Sequence, residues 1–211
     1  MGLTCKTVFE KYILGTIALE NPDAQITICD FKGEDFRGFH KCNRVYSFSD
    51  CSTGFDRYYR EVFQKRQSGQ CDNRSLRLLV FDEWASYLNY VAGGGSVDGI
   101  TGAKRAEIER QKMATLLMLG RVFSCHVLIC QQVFYAKQLE GAKENLSLVV
   151  NFGNMSKIIA DMWEFDKERL IPAQGVGSGH ILRNRLEQVA FQAPVISDFQ
   201  KLDEVIRSIV E

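Results

Sequence analysis

No sign of charge dominates this 211-residue sequence: Lys and Arg together number 26, and so do Asp and Glu. Net charge therefore gives no reason to expect nucleic acid as a partner, although a local basic patch stays compatible with it. Long hydrophobic runs are missing too. No stretch approaches the roughly 20 apolar residues that span a bilayer, and no secretory signal pattern is present. The seven cysteines (Cys5, Cys29, Cys42, Cys51, Cys71, Cys125 and Cys130) are odd in number and scattered, without a CxxC pair or metal-ligand spacing. Cys29, Cys125 and Cys130 fall in strand-like runs, where a reduced cysteine packs as a small apolar residue. There is no helix-turn-helix signal, zinc finger or basic tail, no internal repeat and no interdomain linker. The expectation is a reduced, cytosolic, single-domain chain over 1–211. It is 45% apolar, enough for one sizeable core, and any membrane anchoring would come from a larger complex.

What is there centres on Leu76–Trp84. Leu78, Leu79, Val80 and Phe81 form a continuous apolar run, as in a parallel strand covered on both faces. Asp82 and Glu83 end it. In an open α/β sheet the carboxyl ends of the strands border the ligand crevice. There the first acid suits a hydrated magnesium ion and the second suits polarising a water beside a phosphate. The pattern is that of a Walker B element with its catalytic Glu.

Upstream, Lys6-Thr7 opens a helical pattern with Phe9, Tyr12, Ile13 and Ile17 on one face. A Lys-Thr pair at a helix start is the tail of a P-loop, GxxxxGK[ST], whose amides and lysine cradle phosphate while the hydroxyl ligates magnesium. Cys5 stands where the last glycine belongs, and the leading glycine would lie before Met1. The strand that feeds such a loop is not represented. Gln25–Asp30 reads as a strand ending in an acid, and Val45–Phe48 as a short one. Thr53 to about Gln67 reads as a helix bearing Phe55, Tyr58, Tyr59 and Phe63, with Arg57, Arg60, Lys65 and Arg66 on a solvated face. Trp84–Val91 and Lys104–Leu119 read as helices around a flexible Gly-rich loop at 92–99. Met113, Leu116, Leu117 and Gly120 of the second form a core stripe. Cys125–Cys130 is a further buried strand. His126 starts it as a packed, hydrogen-bonded residue, and Gln131-Gln132 ends it. Met155–Ile159 reads as a strand, and Asp166–Ile171 as a short helix. His180–Leu182 and Val189–Pro194 read as a closing hairpin, before a last helix capped by Ser197.

In order and spacing these motifs resemble the motor domain of the FtsK/SpoIIIE family, in the HerA–FtsK branch of P-loop ATPases. Asp30-Phe31-Lys32-Gly33 is similar to that family's Asp-Pro-Lys-Gly strand exit. Gly120-Arg121 before Cys125-His126, with Cys130-Gln131-Gln132, is similar to its Gly-Arg-…-His-…-Gln run. The resemblance implies an α/β, RecA-like three-layer sandwich with a mostly parallel sheet and a C-terminal hairpin plus helix. It implies ATP and Mg2+, a homo-hexamer, and double-stranded DNA moved through its pore, as in conjugation or another mobile element. Under it, Thr4, Cys5, Lys6 and Thr7 bind nucleotide, and Thr7 and Asp82 bind the metal. Glu83 activates water, Gln132 senses the γ-phosphate, and Arg121 stabilises charge across a subunit interface. Two further readings fit: a protein-secretion ATPase of the same type, and a non-catalytic scaffold. Cys5 favours the scaffold, because a side chain there hinders backbone approach to phosphate; the intact Asp82-Glu83 favours an enzyme.

Overall fold

The computed structural model describes residues 5–133 and 135–211. Its centre is a parallel sheet in the order β2-β1-β3-β4: β1 is Gln25–Asp30, β2 Val45–Ser47, β3 Arg77–Asp82 and β4 Cys125–Cys130. Beyond their first residues β1 and β3 are buried along their whole length, as the unbroken apolar run Leu78–Phe81 of β3 demands. Alternation along each strand divides the core into two. On one side Ile26, Ile28, Leu78 and Val80 meet Leu14 and Ala18 of α1 (Cys5–Glu20) and Ile206 and Ile209 of α7 (Phe199–Val210). On the other side Leu79 and Phe81 meet α2 (Cys51–Arg57), a π-helical turn (Tyr58–Gln64), α4 (Trp84–Gly93) and α5 (Gly102–Leu119), while α3 (Lys65–Gln67) continues the π-helical turn. The Phe81 ring lies 4.9 Å from both Trp84 and Tyr87. The result is the three-layer α/β sandwich the sequence predicts.

A second, antiparallel sheet in the order β5-β6-β7 comprises Leu148–Phe152, Ser178–Arg183 and Glu187–Gln192. The predicted hairpin is β6-β7. Phe9 of α1 reaches this sheet, with its ring 5.4 Å from Phe152 and 5.5 Å from Phe191. Wedged between two sheets and α7, α1 has no single apolar stripe. It buries Thr7, Glu10, Lys11, Leu14, Gly15 and Ala18 and exposes Tyr12.

Several local expectations change. Met155–Ile159 is not a strand: Lys157–Trp163 forms helix α6, and the strand is β5 just upstream. Five residues are too few to separate helix from strand by period, and the Ser156 hydroxyl decides it by accepting from the Ile159 N–H at 3.3 Å. Asp166–Ile171 tightens to a 3-10 turn at Lys167–Arg169. Asp198 rather than Ser197 caps α7, accepting from the Lys201 N–H at 2.9 Å. His126 is exposed rather than packed. Arg66 is not on a solvated face. It is 5% exposed and donates to the Ser75 and Phe123 carbonyls, each at 2.9 Å, stitching α3 to the turn before β4. Among the described residues, no helix is long and apolar enough to cross a membrane.

Candidate nucleotide site

Register builds the site. Asp30 of β1 pairs with Asp82 of β3, and Asp82 with Cys130 of β4, so three neighbouring strands end level. The start of α1 sits over that edge. Lys6 Nζ donates to Asp82 Oδ1 and lies 3.5 Å from Glu83 Oε1. Residues 76 positions apart are thus brought together as the P-loop and Walker B patterns require. The Thr7 hydroxyl donates to Asp35 Oδ1 at 2.6 Å. Cys5 is half-buried and opens the helix. Thr4, the remaining expected nucleotide-binding residue, lies outside the described residues.

Glu83 holds an unusual backbone. Its φ of 61° and ψ of 46° are left-handed, a conformation that costs a residue with a Cβ of the order of 1 kcal/mol. The strain is sustained because its N–H donates to the Cys130 carbonyl at 2.7 Å. The turn aims the side chain at Lys32, whose Nζ is 3.0 Å from Glu83 Oε1, while the Ser86 hydroxyl donates to Oε2 at 3.3 Å. Lys32 is presented by the Asp30-Phe31-Lys32-Gly33 exit. The Asp30 carboxylate accepts from the N–H groups of Gly33 and Phe36, both at 2.9 Å, and Gly33 takes a φ of +67° that favours glycine.

Below these groups lies Glu10, one helical turn after Lys6 and 2% exposed, with only the Cys130 thiol, a weak donor, beside its carboxylate among the described residues. Burial pushes its carboxyl up to about 7 against the pull of Lys6. Burial and then the Glu10 charge raise Asp82 to about 8. For Lys6, burial opposes the ammonium, but Asp82 and then Glu10 outweigh it and raise its pKa above the ordinary 10.5. The Cys130 thiol is held well above its usual range by burial and by Glu10. One ammonium cannot neutralise two buried carboxyls, so the cluster retains a proton near neutral pH.

Gln131 rather than Gln132 is anchored at the end of β4. Its Oε1 accepts from the Ala85 N–H at 3.0 Å, and its Nε2 donates to Gln138 at 3.1 Å. Gln132 is exposed beside it. Arg121 is exposed in the 3-10 turn Gly120–Phe123 at the start of β4. That is the far end of the strand, roughly 17 Å away at about 3.3 Å per residue, so it does not reach the carboxylates of its own chain. A Cβ on Gly120 would meet the Cys125 carbonyl at 2.3 Å, which explains glycine in that motif. The sequence reading missed Lys32, although it lies inside a quoted motif, along with Glu10 and Asp35.

The residues present fit nucleotide and magnesium. Magnesium takes hard oxygen ligands and keeps several waters. Thr7 and Asp82 supply such oxygens, and Asp82 Oδ2 is buried without a hydrogen-bond partner. Among the described residues no three His, Cys, Asp or Glu side chains group as a metal site on their own, so the remaining ligands would come from phosphate and water.

No known family profile matches the chain, and no curated protein does. Solved structures do. The cytoplasmic domain of the type VII secretion ATPase EccC from Thermomonospora curvata superposes with a TM-score of 0.59 at 17% identity, covering 99% of this chain and 27% of that one. The genome-packaging NTPase B204 of Sulfolobus turreted icosahedral virus 2, in complex with ATP-gammaS, gives a TM-score of 0.51 at 11% identity over 90% of both chains. EccC ATPases 2 and 3, in complex with a signal sequence peptide, give 0.51 at 12% identity, covering 90% of this chain and 35% of that one. This chain therefore spans about a quarter of the EccC domain. The fold is that of RecA-like P-loop ATPase domains.

Proposed function

We propose that this chain is the ATPase domain of an FtsK/SpoIIIE-type motor that hydrolyses ATP with Mg2+ and moves double-stranded DNA, working as a homo-hexamer in the cytoplasm. The observation that carries the reading is the convergence of Lys6, Asp82 and Glu83 at one sheet edge. Lys6 would turn its ammonium from Asp82 to the nucleotide's phosphates, and Thr7 and Asp82 would hold the metal. The metal would supply charge neutralisation at the phosphate oxygens. Glu83 orients a water and accepts its proton once it parts from Lys32. Gln132 reaches the γ-phosphate from the end of β4. Arg121 acts across a subunit boundary, since its position at the far end of β4 leaves it without a role in its own site.

The EccC likeness across 99% of this chain supports a second cargo, a secreted protein. Binding of double-stranded DNA that weakens steeply with salt, as released counterions require, would favour DNA; its absence would favour a polypeptide.

The reading is tested by calorimetry with Mg·ATP and by phosphate release. Wild-type chain is expected to bind and hydrolyse ATP. Glu83→Gln is expected to bind it and to lose about 10²–10⁴-fold in rate, the usual contribution of a general base. Unchanged turnover in that variant would remove Glu83 from its role, and no binding to either chain would leave the scaffold reading.

A further inference from the structure

Glu10 has no part in the mechanism above, and its environment is hard to explain as packing. It is 2% exposed on the sheet-facing side of α1, and among the described residues its carboxylate meets only the Cys130 thiol, a weak donor. A buried charge so weakly partnered is among the costliest arrangements in a protein interior. An apolar residue would serve the core better, as Leu14 and Ala18 do further along the same face. The charged and titratable groups facing it are Lys6, Cys130, Asp30 and Asp35, with Asp82 beyond. Lys6 precedes it by four residues, the spacing at which helix side chains meet. Lys6 is also the residue proposed above to receive phosphate.

We infer that Glu10 is a specificity-determining counter-charge that restrains Lys6 and opposes polyphosphate binding, so that the site discriminates among nucleotides by their phosphate charge. The inference rests on the proposed nucleotide site and deepens it. With Glu10, Asp82 and Glu83 gathered around Lys6, the ammonium that meets the phosphates is already committed, and every added phosphate charge works against a fixed negative charge in a medium that screens poorly. Glu10 touches no phosphate itself. It acts through Lys6 and through the field at the start of α1.

The test measures binding of ATP, ADP and AMP to wild type, Glu10→Gln and Glu10→Leu, in EDTA so that metal does not offset phosphate charge. It is run at pH 8, above the Glu10 value of about 7. Both variants remove a weakly partnered buried carboxyl and are expected to melt no lower than wild type, which a thermal scan checks. The expected result is roughly tenfold tighter ATP binding in both variants, a smaller gain for ADP, and AMP within about twofold of wild type. A role in packing alone does not produce that graded dependence on phosphate number. ATP binding only in the two variants also supports the inference. Equal ATP affinity in all three chains, weaker binding in the variants, or one uniform gain for all three nucleotides overturns it and leaves the nucleotide reading standing. No binding by any of the three chains in EDTA overturns the inference and leaves the nucleotide reading to the Mg·ATP measurement above.

Discussion

The Glu83 N–H donates to the Cys130 carbonyl at 2.7 Å, tying the end of β3 to the end of β4 through a left-handed residue. Because φ is positive there, glycine should fit better than alanine. Glu83→Gly is expected to be more stable than Glu83→Ala by about 1 kcal/mol, read from urea midpoints, although both lose the carboxylate. Alanine equal to glycine would show that the turn relaxes when the acid is gone.

Lys32 is the solvent-facing partner of a buried acid: its side chain is 41% exposed, that of Glu83 only 7%. On the proposed mechanism, the ion pair holds Glu83 away from its work as a base. Lys32→Ala is expected to raise phosphate release a few-fold, in line with a half-exposed ion pair worth no more than about 1 kcal/mol. A fall in rate would instead make Lys32 a phosphate ligand.

Arg66 holds three segments through backbone carbonyls rather than through an acid. Arg66→Ala removes those bonds and leaves the Phe123 and Ser75 carbonyls short of a donor. The expected loss is about 2–4 kcal/mol of stability, by chemical denaturation. Arg66→Lys should recover only part, because an ammonium lacks the planar fork that spans two acceptors.

Stability should fall as pH rises through neutrality. Folding raises Glu10 from 4.5 to about 7 and Asp82 from 3.8 to about 8, so between the lower and upper values the native chain binds more protons than the unfolded one. In that window unfolding free energy decreases with pH, by at most about 1.4 kcal/mol per unit for each proton. Urea midpoints at pH 5, 6.5 and 8 should decline in that order. Glu10→Gln should flatten the decline, since it removes one acid and relieves the other.

Much of this architecture is legible from side-chain pattern. The apolar run Leu78–Phe81 and the β-branched run Ile26–Ile28 place the central strands, and the acids that close them place the site edge. Lys6 is harder to read, because helix periodicity says nothing of which strand end it meets. The pattern fails where burial is polar. Glu10 and Lys11 are charged residues on the hidden side of α1. Arg66 is hidden because carbonyls from other segments converge on it. Met155–Ile159 turned on one hydroxyl at Ser156. Such residues are placed by tertiary partners, which local sequence does not contain.

The pairing of α1 with α7 sets the order of assembly. Lys11 Nζ meets Asp203 Oδ1 at 2.9 Å, across 192 positions of sequence, and Leu202 packs onto Gly15. During synthesis the helix that carries Lys6 and Thr7 is made well before α7, and its seat is incomplete until α7 follows. Contacts so distant along the chain slow folding. The ribosome-bound chain must hold an exposed Leu14–Ala18 surface until α7 is released, which makes nascent chains of this protein natural clients for a chaperone.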